Sequence, residues 1–152
     1  MQVLYHNRNR DAAAEADLGV RYMSMDELLA QADFVCLNVP YTAQTDKLIG
    51  EAQLRAMKPT AFLINTARGG VVDTDALLRA LNEGWIAGAG LDVTEPEPLP
   101  RDHPLLKVEN LVLTPHSGTS TVGTRIRMGE IALENLLAGL AGKALPHRVA
   151  GS

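Results

Sequence analysis

Asn65-Thr66-Ala67-Arg68-Gly69-Gly70-Val71-Val72-Asp73 begins where a short apolar run from Thr60 ends. Leu91-Asp92-Val93-Thr94-Glu95-Pro96-Glu97-Pro98 follows a second such run, and Thr114-Pro115-His116-Ser117-Gly118 a third. Each apolar segment gives way to turn formers and then to a side chain that can do chemistry. In an α/β sheet, ligands bind at the carboxyl ends of the strands. Three strands of this kind carry Arg68, Glu97 and His116 to one edge. A guanidinium grips a carboxylate in a bidentate fork. An imidazole moves a proton near neutral pH, and a carboxylate beside it holds and charges the ring. Such a set needs neither metal nor nucleophile, so a bound redox cofactor is the natural reactive centre.

Outward from this stretch, the remaining elements alternate between strand and helix signals. Val3 to His6 reads as a short buried strand, followed by the polar stretch Asn7-Arg8-Asn9-Arg10. Asp11 to Leu18 reads as an Ala-rich helix stopped by Gly19. Ser24 and Glu27 form a capping box that opens a helix over Met25–Gln31. The near-continuous apolar run Asp33–Val39 suits a central parallel strand, in which Cys36 is expected as a buried core thiol. Glu51–Met57 reads as a helix and Thr60–Asn65 as a strand; Asp73 caps a helix over Thr74–Asn82 that Gly84 stops.

Trp85 is expected to pack at a strand entrance. Ile86–Val93 is a strand whose glycines at 88 and 90 allow close approach of a helix or a ligand. The run Pro96–Pro100 is a stiff turn that suits holding a carboxylate, and His103 reads as a surface or packing residue. Asn110–Leu113 is the last strand. An amphipathic helix from about Ser120 to Ala141 presents Ile126, Leu133, Leu136, Leu137 and Leu140 on one face.

The chain has 152 residues, of which 46% are hydrophobic and 4% aromatic, with a formal net charge of −4. That composition suits an α/β domain and carries no basic excess for nucleic acid. No apolar run approaches the roughly 20 residues of a membrane span. Cys36 is the only cysteine, so no intrachain disulfide forms, and the cytoplasm is the expected location.

The three blocks, with Arg68 and Glu97 separated by 29 positions and Glu97 and His116 by 19, resemble the D-isomer-specific 2-hydroxyacid dehydrogenases. Within that family they are most similar to the glyoxylate/hydroxypyruvate reductase branch, and the resemblance runs from Gln2 to about Pro146. It implies an α/β fold with a Rossmann-like doubly wound parallel sheet, truncated at its N-terminus, where the first strand and glycine-rich turn are absent. Residues 1–146 are then a partial NAD(P)-binding domain that includes its C-terminal helix, and 147–152 a frayed tail. The resemblance further implies reversible hydride transfer between NAD(P)H and a small 2-oxo or 2-hydroxy acid.

In that role Arg68 binds the substrate carboxylate, His116 is the acid and base, and Glu97, with Glu95 as its rival, orients the imidazole. Asp92 contacts the nicotinamide carboxamide, while Ala67 and Gly118 offer backbone near the ring. Val39 and Pro40 edge the adenine pocket, and Thr45 lies in the loop after them with a ligand-binding and a structural reading both open. Asn7, Arg8 and Arg10 stand where an acid serves NAD and arginine accommodates a 2′-phosphate. NADP(H) is therefore the expected preference, with NAD(H) possible, and the complete protein is expected to be a homodimer without nucleic-acid or membrane partners. Two alternatives remain open: a nucleotide-sensing corepressor-like binding protein of the same fold, and an inactive truncated remnant. The chain by itself is expected to be inactive.

Overall fold

The computed structural model describes residues 1–149. The chain divides into two compact units, Met1–Pro115 and His116–Ser152.

The first unit opens with β1 (Leu4–Tyr5), α1 (Ala12–Leu18) and β2 (Arg21–Tyr22), the two strands pairing in parallel. Asp11 caps α1 by accepting the N–H groups of Ala13 and Ala14, and Gly19 ends the helix in the left-handed region at φ 65°. β1 is half-buried rather than buried as its apolar pattern suggested.

A second parallel sheet has the order β3-β4-β5-β6, built from Phe34–Leu37, Phe62–Asn65, Gly88–Leu91 and Leu111–Leu113. Its crossovers carry α3 (Glu51–Ala56) and α4 (Thr74–Asn82), while α2 (Met25–Gln31) precedes β3. The capping box at Ser24 and Glu27 is formed, so the local sequence fixes where α2 starts. Strand period two then sorts the side chains. Val35, Leu37, Leu63, Ala89 and Leu91 join Leu29 of α2, Leu54 of α3 and Leu77 and Leu81 of α4 in one buried cluster.

The opposite face of this sheet is uncovered. Phe34 is 63% exposed and Val112 67% exposed, with the Phe34 and Phe62 rings stacked 5.5 Å apart. Cys36 lies on this face and is exposed, so the expected buried thiol is corrected. A run that is apolar on both faces fits a strand covered on both sides; here only the face of Val35 and Leu37 is packed. Close approach at Gly88 is also of another kind than expected. A Cβ there would lie 2.7 Å from the Asn110 carbonyl oxygen and 3.0 Å from the Phe62 ring, so neighbouring strands rather than a helix or ligand claim the space.

Trp85 packs under Arg55, whose guanidinium lies 3.5 Å from the ring centroid, and its indole N–H donates to Glu83. Glu51 pairs with both Arg55 and Arg79, tying α3 to α4 at the surface. His103 accepts the Leu105 N–H and caps a short 3-10 turn over Pro104–Lys107.

In the second unit α5 (Val122–Leu140) is capped by Thr121. Ile126, Leu133, Leu136, Leu137 and Leu140 of its apolar stripe are all exposed. Of the tail from 147, His147 donates its backbone N–H to Asn135 and its ring meets Glu134 at 2.6 Å, while 150–152 lie outside the described residues. Among the described residues, no helix is long and apolar enough to cross a membrane, and no group of three or more His, Cys, Asp or Glu could hold a metal.

Candidate active site

The carboxyl end of β4 is shaped by a buried polar residue. Asn65 is 1% exposed, and its amide donates to the Arg68 carbonyl at 2.9 Å while its oxygen accepts the Ala67 N–H at 3.0 Å. Both ends of the side chain are satisfied, as a buried amide requires, and the chain is bent so that Arg68 leaves the strand. The Arg68 guanidinium donates to the Ala67 carbonyl at 2.6 Å. It borders an open cleft of 690 Å³ lined also by Asn38, Val39, Pro40, Tyr41, Thr66 and Ala67.

Gly69 and Gly70 are there for space. A Cβ on Gly69 would fall 2.0 Å from the Thr94 carbonyl carbon and oxygen, and one on Gly70 2.7 Å from the Tyr41 ring. The Arg68 loop is thus wedged between the turn after β3 and the turn after β5. The latter turn carries Glu97, whose carboxylate accepts the Thr94 N–H at 3.3 Å; Thr94 donates its hydroxyl to the Pro96 carbonyl at 2.8 Å. Thr74 donates to the Glu95 carbonyl, tying the same turn to α4. Glu95 and Glu97 both precede prolines across cis peptide bonds.

Asp92, at the end of β5, accepts the Thr114 hydroxyl from the end of β6 at 2.5 Å. On the other side of the cleft, the Thr45 hydroxyl donates to the Pro40 carbonyl at 2.6 Å and accepts the Thr42 N–H at 2.8 Å. Thr45 therefore organises the loop that begins at Pro40. Asn65, Gly69 and Thr114 stood in the quoted blocks without an assigned role, and Tyr41 was not named from the sequence. A polar residue closing an apolar strand was the one signal available for Asn65.

At the end of β1, the Asn7 side chain accepts the Arg8 N–H at 2.8 Å. Arg10 makes a bidentate pair with Glu15 at 2.7 and 2.8 Å. That pair, through the hydrogen bond from Arg10 first, holds the Glu15 carboxyl below its usual range. Among the described residues, the Arg8 guanidinium makes no hydrogen bond or ion pair.

His116 and Gly118 belong to the second unit, which starts at His116. His116 adopts φ 51°, a conformation uncommon for any residue with a side chain. Such outliers concentrate at functional positions.

These residues fit a dinucleotide in part. The end of β1 offers amide and guanidinium groups suited to a ribose or its phosphate. The cleft at Arg68 has the size of a cofactor or substrate pocket. No Gly-x-Gly-x-x-Gly segment occurs in the sequence to cradle a pyrophosphate.

Parallel sheets joined through helices, with the polar residues gathered at the strands' carboxyl ends, define a Rossmann-type nucleotide-binding domain. Residues 1–118 match the profile of the family described as D-isomer specific 2-hydroxyacid dehydrogenase, NAD binding domain. The chain belongs to that family, whose domain binds a nicotinamide cofactor. It is 53% identical over 149 residues to a glyoxylate reductase of Korarchaeum cryptofilum, covering 98% of this chain and 45% of that protein. A glyoxylate reductase of Aeropyrum pernix is 48% identical over 149 residues, covering 98% and 44%.

Among solved structures, the TT0316 protein of Thermus thermophilus superposes with a TM-score of 0.91 at 49% identity, covering 99% of this chain and 46% of its own. The NAD-complexed D-isomer specific 2-hydroxyacid dehydrogenase of Lactobacillus delbrueckii ssp. bulgaricus gives 0.86 at 36% identity, covering 98% and 48%. The chain thus spans somewhat under half the length of the relatives it matches.

Proposed function

We propose that residues 1–152 form the catalytic, nicotinamide-side half of a reductase acting on glyoxylate, hydroxypyruvate or a similarly short 2-oxo acid. The observation that carries this reading is the wedge at Gly69, which fixes the Arg68 loop against the turn that bears Glu97. Two groups of complementary use are then held by backbone contact rather than by flexible side chains, which is the preorganisation catalysis needs. The likeness to glyoxylate reductases over nearly the whole chain points the same way.

In this reading Arg68 binds the substrate carboxylate and orients the carbonyl. His116 delivers a proton to the carbonyl oxygen during reduction and removes it during oxidation. Glu97 orients the imidazole and favours its charged form. Asp92, steadied by Thr114, takes the carboxamide of the nicotinamide. Ala67 and Gly118 border the nicotinamide ring, and Val39, Pro40 and Thr45 the adenosine side. The nicotinamide supplies or accepts the hydride.

Arg8, with Asn7 beside it, takes a 2′-phosphate, so NADP(H) is preferred over NAD(H). Arg10 supports that site through Glu15 and Tyr22 rather than standing free for the phosphate. The complete enzyme acts as a homodimer in the cytoplasm. NADPH oxidation with glyoxylate and hydroxypyruvate tests the reading in the full-length enzyme that carries this chain. Turnover that falls by roughly 10²–10⁴ in His116→Ala supports it; full activity in that variant overturns the role of His116.

A further inference from the structure

Glu15, in the first turn of α1, reaches back to the end of β1 and takes up one of the two arginines there. Its Oε1 accepts the Arg10 Nε–H at 2.7 Å and the Tyr5 hydroxyl at 3.0 Å, and its Oε2 accepts from Nη2 of Arg10 at 2.8 Å. The Glu15 side chain is 16% exposed and that of Arg10 64%. The carboxylate is therefore largely enclosed, while the guanidinium it grips stays open to solvent. Nη1 of Arg10 has no partner among the described residues. The hydrogen bond between the two groups raises the pKa of Arg10 and lowers that of Glu15, so both are charged near neutral pH.

This pairing does not carry Arg10 away from the strand end. Tyr22 of β2 touches both ends of the Asn7–Arg10 stretch. Its hydroxyl donates to the Asn7 carbonyl at 3.4 Å, and the Arg10 guanidinium lies 6.0 Å from its ring centroid. Tyr5 packs edge-on against the same ring, with centroids 5.4 Å apart. The stretch is thus drawn together over one aromatic pair, which keeps Arg10 beside Asn7 and Arg8. In a Rossmann fold such a strand end meets the adenosine ribose, and an arginine there accommodates a 2′-phosphate. Arg8 has no carboxylate of its own and keeps its full charge.

We infer that Glu15 is a specificity-determining residue: by masking the charge of Arg10 it makes the 2′-phosphate site a one-arginine site, and so limits how far the enzyme favours NADPH over NADH. The inference rests on the proposed reading of Arg8 as the phosphate-binding group. A phosphate approaching Arg10 meets a guanidinium and a carboxylate together, whose opposite charges largely cancel. Neutralising Glu15 leaves Arg10 seated over Tyr22 with its charge uncompensated and its donors open. Attraction for a phosphate then rises, since a charge-assisted bond becomes available. A cofactor without that phosphate finds no new charge to meet.

The test is the dissociation constant, by titration calorimetry, of the full-length enzyme that carries this chain. The ligands are NADPH, NADH, adenosine 2′,5′-bisphosphate and adenosine 5′-monophosphate. Glu15→Gln keeps the size of the side chain and an acceptor for Tyr5. Expected is a tightening of about 3- to 10-fold for the ligands that carry a 2′-phosphate, between the worth of an exposed ion pair and that of a charged hydrogen bond. The ligands that lack it should gain nothing. Glu15→Ala should act in the same direction, which keeps the test valid should either variant misfold. Arg10→Ala in the Glu15→Gln background should remove the gain, an outcome that a merely structural role of Glu15 does not give. Added salt should weaken adenosine 2′,5′-bisphosphate more steeply in Glu15→Gln than in the unmodified enzyme, because the gain is electrostatic.

Unchanged or weaker binding of the 2′-phosphate ligands in both Glu15→Gln and Glu15→Ala, with Arg8→Asp still weakening them, overturns the masking alone. A gain shared equally by NADH, or one that survives Arg10→Ala, overturns it as well, since the charge of Arg10 would not explain it. An unmodified enzyme that binds adenosine 2′,5′-bisphosphate no tighter than adenosine 5′-monophosphate, and is insensitive to Arg8→Asp, overturns the reading of Arg8 and the masking with it.

Discussion

The α-carbon of Gly69 lies against the peptide that follows Thr94, so that a Cβ added at Gly69 would be 2.0 Å from the Thr94 carbonyl carbon and oxygen and 2.6 Å from the Glu95 nitrogen. This contact joins the loop of Arg68 to the turn of Glu97 within one unit. Both partners are backbone, so neither can yield by changing a rotamer. Gly69→Ala should therefore force the two loops apart and cost at least about 1–3 kcal/mol, the usual penalty for overpacking. Urea unfolding of the 152-residue chain, followed through its single tryptophan at 85, measures this directly. An unchanged midpoint would mean that the loops part freely and that the wedge positions nothing.

Asp73 links helix capping to the same region. Its carboxylate accepts the N–H groups of Ala76 and Asp75 at 3.1 Å each and pairs with Lys47 at 3.2 Å. The bond from Ala76 first, and then Lys47, lower its pKa from the ordinary 3.8. A carboxyl with a depressed folded pKa contributes stability that is complete above the unfolded value and is lost as pH falls through the folded one. Asp73→Ala should cost about 0.5–2 kcal/mol at neutral pH, and the gap from the unmodified chain should close below pH 3.8. Asp73→Asn, which can still cap, should lose less. Denaturant midpoints across that pH range decide the matter, and a gap that persists at low pH would rule out the charge as its source.

In the proposed reading, cofactor choice turns on Arg8 and Arg10, whose contacts differ. Arg10 is engaged by Glu15 in a bidentate pair, whereas Arg8 extends from a turn closed by Asn7. Arg8→Asp should reduce kcat/KM for NADPH in the full-length enzyme by the equivalent of about 1.5–3 kcal/mol, the worth of a hydrogen bond to a charged group. Arg10→Ala should weaken NADPH less, because its effect is relayed through Glu15 and the end of β1. Equal use of NADH and NADPH by the unmodified enzyme would contradict the phosphate role of Arg8.

The order of elements was legible because it is written locally. Asp11, Ser24 with Glu27, and Asp73 each mark a helix start, and all three caps are formed. The short apolar runs before Asn65, Asp92 and Thr114 give the strands, and parallel order follows from the helices between them. Illegible was everything that depends on which face a neighbour covers. The sequence around Cys36 is apolar on both strand faces, and nothing local tells the packed face from the open one. The site divides the same way. Arg68, Glu97 and His116 are candidates by residue type and spacing, whereas Gly69 and Tyr41 act through close contacts between segments distant in sequence. Their spacing carries no period that could reveal them.

The last prediction concerns the 152-residue chain by itself, and it joins surface physics to catalysis. Phe34, Cys36, Phe62 and Val112 lie on the open face of the four-stranded sheet, and Ile126, Leu133, Leu136 and Leu137 lie on an exposed stripe of α5. Contiguous apolar surface of this kind favours association. The isolated chain should self-associate or bind hydrophobic dyes, as light scattering and dye fluorescence would register. Cys36 should react with a thiol reagent in the absence of denaturant, since its face is open. Phosphate capture adds a second argument: no Gly-x-Gly-x-x-Gly turn is present to bind a pyrophosphate through backbone N–H groups. Positioning of the reactants, worth about 7–11 kcal/mol of barrier, is not supplied by the open cleft at Arg68 alone. Glyoxylate and hydroxypyruvate should therefore not be reduced by the isolated chain with NADPH. Brisk turnover by a monodisperse monomer whose Cys36 resists modification would show that the open face is covered and the site sufficient as it stands.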